Sequence, residues 1–410
     1  MQHSEITQSG WRPWLIWAIA AAFVILVLGF QACYAIINRE IARDLSLTPD
    51  EIGLIGTTYT WCFAVAQMVS GALLDRLGAR RVLPVACATI STGIFCFALA
   101  GGLPGLLMAQ VLVGLGAAFG FAGAGFVSRM WFSFERYSFL LGLVQFVASF
   151  SACICQLTLS HALAGVPYSQ TICGLGGFGI FLVIVMLFWL REPAGHHMDP
   201  LGRPAVFVRN ILLDVLKVIR PPQMWLIMLL GAASFGTMIC VGAVWGPRLL
   251  AAQGLPETAS NAAVALSWLG LAIGAPIFAW WAQKYDREVL AVAIGLLGQG
   301  FCLALMLLAN FTSALAFNLS MAAWGWFAGG SILSFSLAGQ LAGKLYVGTS
   351  VSLTNGAQFV AAGLFIYIGG VLQGPLFNLA THRAMSYLPL ILFLAAGLCF
   401  FLKKPQVNDE

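Results

Sequence analysis

Long apolar runs alternate with short polar breaks along the whole chain. The runs fall near residues 13–37, 51–74, 82–100, 104–127, 138–160, 171–190, 223–246, 258–282, 289–309, 313–338, 347–372 and 384–402. Each approaches or exceeds the roughly 20 apolar residues that carry a helix across a bilayer. No barrel-type alternation of apolar and polar positions runs through them, so helices are the spanning elements. The pattern predicts an all-α membrane protein of twelve transmembrane helices. The first run is too long for a signal peptide and lacks a clear small-residue cleavage site, so it reads as a retained helix.

The longest break, 191–222, divides the runs six and six. It predicts an N-terminal half over 1–190, a cytoplasmic linker over 191–222 and a C-terminal half over 223–410. The linker holds His196-His197, two imidazoles that by themselves make a poor metal site. It also holds a basic amphipathic stretch, Phe207 to Arg220, suited to anionic headgroups at the membrane surface.

Composition changes this picture little. Hydrophobic residues make up 60 % of the 410, more than a soluble core can absorb. The net charge of +5 calls for no nucleic acid, because the basic residues have a topological role. With the N-terminus inside, 16 of the 20 Lys and Arg fall in inner loops, and only Arg39, Arg43, Arg248 and Arg383 fall outside. The positive-inside rule then puts both termini in the cytoplasm. The ten cysteines lie almost wholly inside helices and suggest no disulfide framework.

Between the second and third runs sits a polar island, Gly71-Ala-Leu-Leu-Asp75-Arg76-Leu-Gly78-Ala-Arg80-Arg81-Val82. It resembles the loop between helices two and three of the major facilitator superfamily of secondary transporters. A fainter echo, Ala279-Trp-Trp-Ala-Gln283-Lys284-Tyr-Asp286-Arg287, follows the eighth run, with Gln283 in the acidic position and Asp286 in that of the second glycine. Arg129-Met-Trp-Phe-Ser-Phe-Glu135-Arg136 resembles the family's loop between helices four and five. The resemblance implies two pseudo-symmetric six-helix halves, no enzymatic activity, no cofactor or resident metal, and a monomer that works by alternating access. It also implies a conformational switch at Asp75, Arg76, Gly78 and Arg80, with Glu135 and Arg136 in the second loop. Arg39 and Glu40, at the outer end of the first helix, suit either an outer gate or plain solvated charge.

No ionisable residue falls in the middle of a predicted helix, where proton relays and charged-substrate sites are usually built. The family often carries an arginine in the fourth helix; Gln110 stands there. The glycine–proline pattern of many antiporters is missing from the fifth. Uncharged polar groups therefore carry recognition: Gln31, Tyr34 and Asn38 on the first helix, Gln110 on the fourth, and Gln145 and Ser149 on the fifth. Trp245 on the seventh, Trp324 on the tenth, and Asn355 and Gln358 on the eleventh complete the set. Polar residues in membrane helices also serve helix–helix contacts, so the individual assignments stay open. The expected function is transport of a small polar organic solute, such as an organic acid, amino acid or sugar-like metabolite. Uptake across a bacterial-type inner membrane is expected, by symport with a proton or another ion. The alternative is export of a siderophore or lipophilic compound.

Overall fold

The computed structural model describes residues 10–132, 134–162, 165–193, 204–308, 313–343, 346–377 and 379–403. The side chains of Asp75, Arg76, Glu135 and Arg136 lie outside the description, as do His196 and His197. Eleven described helices are long and apolar enough to cross a membrane. The first six are α1 (Trp11–Asp44), α2 (Pro49–Leu77), α3 (Ala79–Ala98), α4 (Leu103–Trp131), α5 (Phe134–Ala162) and α6 (Tyr168–Trp189). A shorter helix, α7 (Pro204–Ile219), occupies the predicted amphipathic stretch of the linker. The second set comprises α8 (Pro222–Ala251), α9 (Glu257–Tyr285), α10 (Glu288–Leu308), α11, α12 (Val347–Gln373) and α13 (Thr381–Phe401). The tenth apolar run forms α11 in pieces: Ala314–Ala328, a 3₁₀ turn Gly329–Ile332, and Leu333–Ala342.

Trp11 meets Trp189, and the Lys403 amide donates to Gln223, so both chain ends share one end of the bundle, here the terminal end. Leu45, Gly254 and Gly374 belong to the opposite, distal end. Helix α1 runs seven residues past the predicted boundary at 37. At 1.5 Å per residue its 34 residues span about 51 Å, against a hydrocarbon core of about 30 Å. Arg39 to Asp44 therefore form a helical extension at the distal end.

Local chemistry sets the turns. Thr48 caps α2: its amide and hydroxyl both donate to Glu51 Oε2, at 2.8 and 3.0 Å, and Pro49 opens the helix. A single residue, Gly78 at φ +76°, joins α2 to α3. A side chain there would be strained and would collide with the Glu192 carboxylate, which accepts the Arg80 amide at 3.1 Å. Asp286, the residue in the matching place of the fainter echo, also takes a positive φ, +56°.

Close approach of backbones organises the packing. Between α9 and α11, Gly270 and Gly274 face Gly325 and Gly329, a four-residue spacing on each helix. A Cβ on Gly53 of α2 would lie 3.1 Å from Gly370 Cα of α12. Across the two sets, α2 packs on α12, α5 on α9, and α1 on the second half of α8.

Candidate functional site

Between the two six-helix sets lies a cavity enclosing about 680 Å³ of space between atoms, part of it continuous with solvent. Gln31 projects from α1, Gln145 from α5, Ser331 from the 3₁₀ turn of α11, and Asn355 and Gln358 from α12. Five phenylalanines, Phe63, Phe121, Phe235, Phe335 and Phe359, share the remaining wall with aliphatic residues and alanines. No charged residue lines it among the described residues. Phe63 and Phe359 stack across the interface, with centroids 3.9 Å apart and planes at 26°.

Gln31 differs from the other amides. It is only 5 % exposed, yet neither Oε1 nor Nε2 has a hydrogen-bond partner. An unpaired buried amide is costly, and in native proteins each one calls for a reason. Two other amides of the wall are better settled: Gln145 Nε2 donates to Ser149 Oγ at 3.0 Å, and Gln358 Nε2 to Ser334 Oγ at 3.2 Å.

Six of the residues nominated from sequence lie elsewhere. Tyr34 donates its hydroxyl to the Ile52 carbonyl at 3.0 Å and stays within the first six helices. Trp245 is fully buried and donates to Ile366 O. Trp324 is fully buried too; the 3₁₀ turn between it and Ser331 tightens the helix and breaks the common face expected of the two. Gln110 is buried in α4 away from the cavity wall, and Asn38 sits distal to it. Ser149 is one turn behind Gln145 and serves as its acceptor. Sequence reasoning missed the phenylalanine wall, because in a membrane helix a cavity-facing ring and a lipid-facing ring read alike. The available signal was spacing: Thr60, Phe63 and Gln67 share one buried stripe of α2.

Asn38 belongs to a latch. Its Nδ2 donates to Val244 O at 2.8 Å; Arg248 Nε donates to Asn38 Oδ1 at 3.0 Å, and Arg248 Nη2 to Asn38 O at 3.1 Å. Gly242 O is released as an acceptor because Val241–Trp245 is a π-helical turn. Pro247 has no N–H to return to Ala243 O, and Gly246 N–H reaches back to Val241 O instead. The widened turn leaves Gly242 O accepting from Gln156 Nε2 of α5 at 2.8 Å and from Trp268 Nε1 of α9 at 3.2 Å. Gln156 Nε2 also donates to Ala32 O of α1 at 2.8 Å. Thr57 Oγ1 to Gly363 O and Trp61 Nε1 to Val360 O tie α2 to α12. The hydrogen bonds named here between the two helix sets lie level with the cavity or distal to it.

At the distal rim Arg39 Nη1 meets Glu257 Oε2 at 3.2 Å, the two side chains being 53 % and 51 % exposed. Such a pair contributes less than about 1 kcal/mol. Arg39→Gln and Glu257→Gln should each shift thermal stability little, and a double-mutant cycle should return a coupling below that bound. A coupling above about 2 kcal/mol would make this pair a substantial part of the distal closure.

The comparisons agree with this architecture. The 410 residues superpose on a bacterial homologue of the human lysosomal transporter Spinster, captured inward-facing and unoccupied, with a TM-score of 0.78 at 15 % identity. The match covers 96 % of this chain and 97 % of that one. An uncharacterized transporter of Bacillus subtilis, YybO, is 22 % identical over 98 % of this chain and 96 % of its own length. The probable galactarate/D-glucarate transporter GudP of Escherichia coli is 24 % identical over 44 % of this chain. That match spans less than half of GudP, 42 %. A probable sulfoacetate transporter of Cupriavidus necator, SauU, is 22 % identical over 38 % of this chain and 36 % of its own length. The profile of the Major Facilitator Superfamily matches residues 18–366, across the cavity and both helix sets, and the chain belongs to that family.

Proposed function

We propose that the protein moves a small organic solute across the bacterial-type inner membrane by alternating access, with the cavity as its transport site. The observation that carries this reading is Gln31. A buried amide with both atoms unpaired, facing a cavity between two helix sets, is a group awaiting a partner. Binding there changes its contacts with both sets at once, which a rocking mechanism requires.

The distribution of Lys and Arg supports cytoplasmic termini, which makes the distal end the outer one and the latch an outer gate. Uptake is the proposed direction, since the antiporter pattern is missing from α5. Symport with a proton or another ion would drive it, and the solute, the coupling ion and the bilayer are the partners of a monomer. Asp75, Arg76, Gly78, Arg80, Glu135 and Arg136 are proposed to act on the cytoplasmic side.

Gln31→Leu tests the site with two readouts of opposite sign. Removing an unsatisfied amide should raise the melting temperature of the empty protein, since such a group costs about 1–3 kcal/mol. The same change should weaken binding and slow uptake of the transported solute at least tenfold in reconstituted liposomes. A metabolite panel read by mass spectrometry identifies the solute in wild type. Uptake unchanged by Gln31→Leu would remove the site.

A second reading, transport of organic anions, is favoured by the names of GudP and SauU. A cavity without a cation in its wall weighs against it.

A further inference from the structure

We infer that the cavity selects uncharged, flat solutes with an amide-like edge, in preference to carboxylates; the inference rests on the transport site proposed above. Three features of the wall converge on this class. First, the recognition groups are primary amides. Gln31 offers one free acceptor and one free NH₂ donor side by side, the complement of a carboxamide, lactam or nucleobase edge. Asn355, 8 % exposed and with no side-chain hydrogen bond among the described contacts, faces the same space from α12.

Second, five phenylalanines stand in the apolar wall. Phe63 and Phe359 stack across the interface, and Phe235 approaches Phe359 at 6.1 Å. Aromatic faces in this arrangement favour another flat ring, by offset stacking or edge-to-face contact.

Third, among the described residues nothing in the wall compensates a charge. A carboxylate taken from water into such a site loses its hydration and gains only neutral donors. The cations on neighbouring turns are remote. Arg39 is eight residues from Gln31 along α1, and Arg129 eight residues from Phe121 along α4, about 12 Å in each case. Arg248 is held by Asn38 in the latch. The cavity therefore penalises the ionised partner of any acid–amide pair while accepting the amide.

Matched pairs isolate the charge: nicotinamide against nicotinate, and indole-3-acetamide against indole-3-acetate. The full-length protein, purified in detergent, is titrated with each compound and binding is read by thermal shift and calorimetry. The amide of a pair should bind at least tenfold more tightly than its acid. Gln31→Leu and Phe63→Ala should each weaken the amide at least tenfold, and Asn355→Leu provides an independent variant should either fold poorly. Acids that bind as tightly as amides, or a panel in which neither member binds, overturn the inference. If galactarate or another anion binds and Gln31→Leu abolishes that binding, the site survives and only its selectivity falls. If amide binding ignores all three substitutions, the cavity is not the site, and the transport reading built on it falls too.

Discussion

Valine at Gly325 is expected to prevent the protein from reaching its folded state. A Cβ at this position would fall on the backbone carbonyl of Ser267, and the reciprocal positions leave no room to retreat. Gly270 would meet Ala322 O, Gly274 would meet Trp326 O, and Gly329 would meet the Gly274–Ala275 backbone. Because backbone rather than a flexible side chain stands in the way, α9 and α11 would have to move apart along the whole contact. Overpacking in a core costs about 1–3 kcal/mol even where side chains can yield. Here the loss extends to dispersion contacts, a main force holding apolar helices together in lipid. Gly177→Ala supplies the contrast, since a Cβ there meets nothing within 4 Å and helix propensity improves by roughly 0.5–1 kcal/mol. Size-exclusion profiles and thermal aggregation midpoints should show Gly325→Val lost and Gly177→Ala unharmed. A monodisperse Gly325→Val protein with the wild-type midpoint would refute the interlock.

The contrast between these glycines shows where the sequence was legible. Apolar run length places the helices because lipid imposes a length on every span. It predicted twelve runs, and it misjudged α1 because the polar extension Arg39–Asp44 continues as helix in the absence of any breaker before Ser46. Gln31, Gln145, Asn355 and Gln358 could be nominated because an amide in a membrane helix is costly unless it faces protein or cavity. Their polarity could not tell those two fates apart. Asn38 looked like a third member of the Gln31 stripe, and only the π-helical turn of α8, created by Gly246 and Pro247 in a tertiary setting, turned it into a latch. Trp324 lies off the cavity wall for a related reason: a 3₁₀ turn changes helical phase, and the Gly329-Gly330 pair that permits it does not announce it. The phenylalanine wall was invisible because hydropathy is the same toward lipid and toward an empty cavity. Of the loop motif between α2 and α3, the structure gives Gly78 and Arg80 a local task, docking the start of α3 on Glu192 at the end of α6.

Asn38→Leu should release the distal closure and shift the protein toward a distally open state. Two of the three hydrogen bonds around residue 38 involve its side chain. One comes from Arg248 and the other satisfies Val244 O. Their loss takes a donor from the Val244 carbonyl and leaves one edge of a guanidinium without a partner in the closed state, whereas in an open state water reaches both. The hydrogen bond to a charged group is worth about 1.5–3 kcal/mol and the stranded carbonyl costs about 1–3 kcal/mol. Together they bias opening by roughly 3–5 kcal/mol, a population shift on the order of a hundredfold to several thousandfold. Gln156→Leu should do much less although it removes two bonds. Gly242 O keeps Trp268 as a donor, and the change also discards an unpaired Gln156 Oε1. The exposed rim pair Arg39–Glu257 should matter least. Distance distributions between labels at Asp44 and Ala252, on opposite helix sets at the distal end, read the populations directly. Asn38→Leu should move the main peak to longer distance and slow turnover, since a transporter held in one state cannot cycle. A distribution matching wild type, or a larger effect from Gln156→Leu, would place the closure elsewhere, in the α2–α12 contact.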